Sequence, residues 1–249
     1  MSAFGRRPGP LRTLFLHPSG GGLGQYMAVI SRLSRRGPVY GIRAAGLQPG
    51  ETPDDSVEAM LQRYLPLLRT LPGPPDLLLG WSLGGVLAWE LAVALAATGH
   101  RPAVVMVDSF AEPWSACHTG PGELLGRILS QSSSPEPGAK ERLERTATAH
   151  LKASAEHHAS RHYDGHVLLM PCAGGEREAQ VAAWARRSPR LVTRDLPCGH
   201  FEVFQPGHHR LMTRHLDTFL SELPRGSEPS GESRPSAESR LSTVAGRHG

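Results

Sequence analysis

Short apolar runs bounded by Gly, Pro or polar residues recur at 11–17, 38–43, 75–79, 103–107, 166–170 and 191–196, and each reads as a buried strand. Between them the period changes. Residues 56–70 place Val57, Met60, Leu61, Tyr64, Leu65 and Leu68 on one stripe, the i, i+3, i+4 spacing of a core-facing helix. Gly85–Ala96 is rich in Ala and Leu and reads as a helix, as do 123–129, 140–147 and 207–222. Strands alternating with helices predict an α/β fold with a mainly parallel central sheet flanked by helices.

A chain of 249 residues accommodates one such domain without a second. We place it at residues 11–223, after a flexible stretch at 1–10. Residues 224–249 are Ser, Glu, Arg, Gly and Pro with little to bury, and are expected to be disordered. Roughly sixty residues separate Asp108 from the next strand, far more than an ordinary connection. This insertion, about 111–163, reads as a helical lid split by a Ser/Pro-rich stretch at 131–137, with Trp114, Leu124, Leu125 and Ile128 as candidate pocket residues.

The chemistry concentrates at Gly80-Trp81-Ser82-Leu83-Gly84. A G-x-S-x-G between an apolar strand and a helix is a nucleophile elbow, where a sharp turn lifts the serine hydroxyl above the sheet. Glycines at 80 and 84 permit that turn. Serine needs a base, and on this scaffold the acid and then the histidine follow the serine in the chain. His200, in a Gly-marked loop after the last strand, is the candidate base. For the acid there are three contenders. Asp108 ends the strand after the elbow helix, Glu176 follows the strand at 166–170, and Asp195 lies within the last strand. Active groups in open α/β sheets gather at the carboxyl ends of strands, which favours Asp108 and Glu176, with Asp108 ranked first. An oxyanion hole requires two backbone N–H groups. Leu83, next after the serine, supplies one. The other is assigned to the Gly-rich loop His17-Pro18-Ser19-Gly20-Gly21-Gly22, with Ser19 as donor. A phosphate loop would instead end in G-K-[ST] or carry G-x-G-x-x-G with an acidic residue behind it; neither occurs.

Several of these motifs together resemble a known family. His17-Pro18-Ser19-Gly20-Gly21 followed by Tyr26, Gly80-Trp81-Ser82-Leu83-Gly84-Gly85 with Ala88-Trp89-Glu90, Val107-Asp108-Ser109, and Gly199-His200-Phe201 are similar to the thioesterase domains of nonribosomal peptide and polyketide synthases. The likeness spans roughly residues 10–222. It implies an α/β-hydrolase fold with Ser82, Asp108 and His200 as catalytic triad, and the Leu83 and Ser19 amides as oxyanion hole. Trp81, Tyr26 and Gly20 are the expected substrate-binding residues. It further implies an acyl or peptidyl carrier protein as partner, presenting the substrate on its phosphopantetheine arm, and no cofactor of the enzyme's own. Product would leave as a free acid or a macrocycle. In product-releasing domains of this family the acid follows the strand after the elbow helix, as Asp108 does. Free-standing editing (type II) enzymes usually carry it after the later strand, where this chain has Ala173-Gly174-Gly175-Glu176. The chain nevertheless opens at Met1 without a carrier domain, the layout expected of a free-standing enzyme. Editing of misloaded carriers and a carboxylesterase activity are the alternative readings.

Composition narrows the rest. A net charge of +4 and pI near 9.3 come without the clustered basic stripe and interleaved aromatics of a nucleic-acid binder. No apolar run has the length of a membrane span, and the N-terminal residues lack a signal-peptide core, so a cytoplasmic location is expected. Cys117, Cys172 and Cys198 have no C-x-x-C spacing, and neither a disulfide framework nor a zinc site is expected. His157, His158, His162 and His166 invite a metal reading, but Asp164-Gly165 should break the helical spacing and no Cys or carboxylate completes a ligand set.

Overall fold

The computed structural model describes residues 1–5, 7–113, 120–131, 136–159, 161–174 and 176–224. Its sheet contains the parallel strands β2 (Thr13–Leu16), β3 (Val39–Ile42), β4 (Leu77–Trp81), β5 (Ala103–Val107), β6 (Val167–Met170) and β7 (Leu191–Thr193). A short strand β1 (Ser2–Gly5) pairs antiparallel with β3, and the order is β1-β3-β2-β4-β5-β6-β7.

Successive residues of a strand point to opposite faces, and here both faces are covered. Leu14, Leu16, Leu78, Val104, Met106 and Leu169 belong to one core, packed under α2 (Val57–Leu68), α3 (Leu83–Ala96) and α6 (Arg177–Ala185). Phe15, Leu77, Leu79, Val105 and Leu168 belong to the other, beneath α1 (Met27–Leu33) and α7 (Pro206–Glu222). That is why the strands read as unbroken apolar runs rather than alternations. From Leu83 to Ala92 every residue of α3 is buried, as befits a helix that is apolar on nearly every side, Glu90 apart.

The insertion after β5 contributes α4 (Pro121–Ser130) and α5 (Ala139–Glu156), which pack against each other. α5 runs well past residue 147, where its sequence signal fades. Its buried face is Leu143, Thr146, Ala147, His150 and Ala153, and the polar members interrupt the apolar stripe. Residues 114–119 and 132–135, with Trp114 and Cys117 among them, lie outside the described residues, as does the tail at 225–249.

Four elements depart from expectation. Residues 2–5, read as flexible, form an edge strand because Phe4 packs over Gly41 and Leu23. α1 and α6 were not anticipated. The first is a single short amphipathic stretch, and the second buries Gln180 alongside Ala183 and Trp184, so neither offers a long apolar period. The last strand stops at Thr193, and Leu196 makes only an isolated bridge to Cys172.

Candidate active site

β4 delivers Ser82 with φ 57° and ψ −128°, a left-handed conformation that L residues rarely adopt. The surroundings hold it there. Its N–H donates to Val107 O at 2.9 Å, tying the turn to β5. A Cβ on Gly80 would stand 2.0 Å from the Gly84 carbonyl group, and one on Gly84 would stand 2.5 Å from Leu16 O. The elbow therefore closes only with hydrogen at those positions.

Asp108 is the first residue beyond β5, also at positive φ (44°). Its N–H donates to Met170 O at 2.9 Å, anchoring it to the adjacent strand. The residue is 5% exposed and its carboxylate fully engaged. Oδ1 accepts from the Cys172 amide at 2.9 Å and from Gln180 Nε2 at 3.3 Å, and Oδ2 accepts from His200 Nδ1 at 2.7 Å. Burial alone would raise the pKa of this carboxyl group, but the hydrogen bond and charge of His200, with the Cys172 and Gln180 donors, hold it below the usual carboxylate range. An ionised carboxylate only accepts, so the His200 proton sits on Nδ1 and Nε2 is the basic nitrogen. Of the other contenders, Asp195 pairs with Arg177 and Glu176 is the residue just before the first turn of α6.

Ser82 and His200 line one cavity of about 470 Å³ together with Ser19, Gly20 and Trp81. The Trp81 ring lies 4.8 Å from the imidazole of His200, and Phe201 packs edge-on against both. Leu124 and Ile128 from α4, with Leu143, Leu151 and Ser154 from α5, form the facing wall. Leu125 is partly exposed and is not part of that wall. Leu83 opens α3, where a first-turn N–H has no intrahelical acceptor.

Tyr26 departs from its expected role. It is 0% exposed and does not line the cavity. Its hydroxyl donates to Leu16 O at 3.0 Å and accepts from Trp81 N at 2.8 Å, bridging the end of β2 to the end of β4. It acts beneath the elbow rather than on a ligand. Cys198 is likewise buried, which pushes its thiol up and away from thiolate chemistry. His157 and His158 bond to Glu90 and Glu112.

Two supports escaped sequence reasoning. Gln180 and Trp184 of α6 donate to Ser109 O at 3.0 and 2.7 Å, fixing the chain next to Asp108. Single polar residues within a helix carry no positional signal. The pair His17 and His150 stack with ring centroids 4.9 Å apart, a meeting across 133 positions of chain that no spacing rule reveals. A serine on a strained elbow, lining one cavity with an imidazole oriented by a buried carboxylate, has the parts that acyl transfer uses.

Comparison with known proteins agrees. Malpibaldin synthetase of Mortierella alpina is 35% identical over 126 residues, 47% of this chain but 2% of that synthetase. The chain thus spans a small part of the multidomain relatives it matches. Among solved structures, the Vlm2 thioesterase domain superposes with a TM-score of 0.72 at 21% identity, covering 87% of this chain and 96% of that one. YbtT, a type II thioesterase from the yersiniabactin pathway, gives 0.66 at 15% identity, covering 86% and 96%. The sequence profile of the thioesterase domain matches residues 12–220, and the chain belongs to that family.

Proposed function

We propose that the protein is a serine thioesterase that frees an acyl, polyketide or peptidyl chain from the phosphopantetheine thioester of a carrier protein. The observation that carries this reading is the 2.7 Å bond between Asp108 and His200, at the rim of the cavity that also exposes Ser82. His200 Nε2 takes the Ser82 proton as Oγ attacks the thioester carbonyl. Negative charge gathers on the carbonyl oxygen, where the Leu83 and Ser19 amides receive it. The pantetheine thiol leaves with the proton from His200, giving acyl-Ser82. Water, or a hydroxyl or amine of the chain itself, then attacks the ester, and His200 again relays the proton.

Trp81 and Gly20 shape the entrance, while α4 and α5 supply an apolar wall suited to an acyl chain. The position of the acid directly after β5 favours product release over editing. The resemblance to synthase domains supplies the carrier protein as partner. The test compares turnover of pantetheine thioesters with that of oxygen esters carrying the same acyl group. Preference for the thioester, abolished by Ser82→Ala, is expected. Equal or better turnover of the oxygen ester would instead favour a carboxylesterase.

A further inference from the structure

The loop that carries Ser19 is held by two buried imidazoles, and one of them comes from the insertion. Pro18 O accepts from Gly21 N at 2.7 Å and from His17 Nδ1 at 2.9 Å. Ser19 O accepts from His150 Nδ1 at 2.8 Å. The rings are nearly parallel, 20° apart. A carbonyl only accepts, so both histidines carry a proton on Nδ1, which leaves His17 Nε2 to accept from the Tyr64 hydroxyl at 2.5 Å.

A trans peptide unit points its N–H opposite its C=O. Fixing Pro18 O therefore fixes the direction of the Ser19 N–H, and fixing Ser19 O fixes that of the Gly20 N–H. Ser19 and Gly20 line the same cavity as Ser82. His150 is 1% exposed and sits on the face of α5 that also sets Thr146 against Gly21.

We infer that His150 is a positioning residue for the oxyanion loop: its grip on Ser19 O directs the Gly20 N–H and, with His17 on Pro18 O, pins both peptide planes that flank Ser19, so that the loop's amides are aligned only while α5 of the insertion is seated on the body. The inference rests on the proposed serine mechanism and extends it. It makes the insertion part of the site's electrostatic frame as well as its wall. Burial, with a smaller opposing pull from the Ser19 carbonyl, lowers the His150 pKa to about 4, so the ring acts as a neutral donor across the ordinary working range.

The test is the rate of covalent labelling of the full chain by an alkyl fluorophosphonate, whose phosphoryl oxygen needs the same amides, alongside kcat and KM on a hexanoyl-pantetheine thioester. His150→Phe keeps a ring and removes the donor. His150→Asn places an amide N–H near the Nδ1 position, whereas His150→Gln places it near Nε2. We expect His150→Phe to label and turn over about 30-fold more slowly, with KM within about threefold, as befits a misaimed oxyanion donor. His150→Asn should recover to within about fivefold of wild type, and His150→Gln should not. Phe or Gln behaving like wild type, or Asn as slow as Gln, overturns the inference. If His150→Phe does not fold, the Asn and Gln pair decides alone. Ser82→Ala separates the two levels. Loss of labelling there with a silent His150→Phe removes only this inference, whereas labelling that survives Ser82→Ala removes the serine mechanism itself.

Discussion

At the scale of single residues, the site depends on groups whose alternatives are poor. Asp108 fixes the tautomer of His200, and an amide in its place would offer a donor where an acceptor is required. Asp108→Asn should therefore lower kcat by about 10³–10⁴-fold while the melting temperature changes little, as steady-state kinetics and a thermal melt would read. A loss below tenfold would mean that another acid orients the base. Tyr26 makes a different prediction. Removing its hydroxyl leaves Leu16 O and Trp81 N without their shared partner in a dry interior. Tyr26→Phe should destabilise by about 1–3 kcal/mol in urea unfolding. Unchanged stability would show that those backbone groups find partners elsewhere.

At the scale of elements, the junction of β4 and α3 tolerates little change. A methyl group on Gly80 meets the backbone of Gly84 at 2.0 Å, and neither side can rotate away. Gly80→Ala should lose more than about 4 kcal/mol or fail to fold. Gly126, inside α4 with open space around it, is the matched contrast. Gly126→Ala should stabilise by about 0.5–1 kcal/mol through helix propensity alone. Equal outcomes for both would contradict the packing described. These same elements explain what could be read in the amino-acid sequence. Strands buried on both faces and the Ala- and Leu-rich α3 announce themselves by composition, and Gly80-Trp81-Ser82-Leu83-Gly84 adds the turn between them. Asp108 and His200 are placed by chain order and strand ends. Less legible are features made by distant residues meeting. Tyr26 under the elbow, Gln180 and Trp184 behind Asp108, and His150 against the Ser19 loop depend on tertiary packing, which local patterns do not encode. Edge strand β1 was hidden because one aromatic residue, Phe4, does most of its packing.

At the scale of the whole molecule, the buried histidines link folding to protons. His17 is lowered from 6.5 to about 3, by burial first and then by the neighbouring His150, against the pull of the Pro18 carbonyl. His150 is lowered to about 4, mainly by burial. In the unfolded chain both return to about 6.5, so below that pH the unfolded state binds more protons. The stability they support is complete above pH 6.5 and drains away as pH falls, towards about 4 for His150 and about 3 for His17. Its slope is about 1.4 kcal/mol per pH unit for each histidine. Urea unfolding across this window should show that dependence, and His150→Asn should remove about one proton's share of the slope. A slope unchanged by the substitution would mean that His150 is not held neutral.

The central claim, that Ser82 carries the acyl chain, is tested most directly by intact mass of the protein and of Ser82→Ala after mixing with a panel of acyl-pantetheine thioesters. The account predicts a mass increase of one acyl group on the wild-type chain and none on Ser82→Ala, with free acid or ring among the released products. Thioester turnover that persists in Ser82→Ala, or an adduct that maps to another residue, would contradict it.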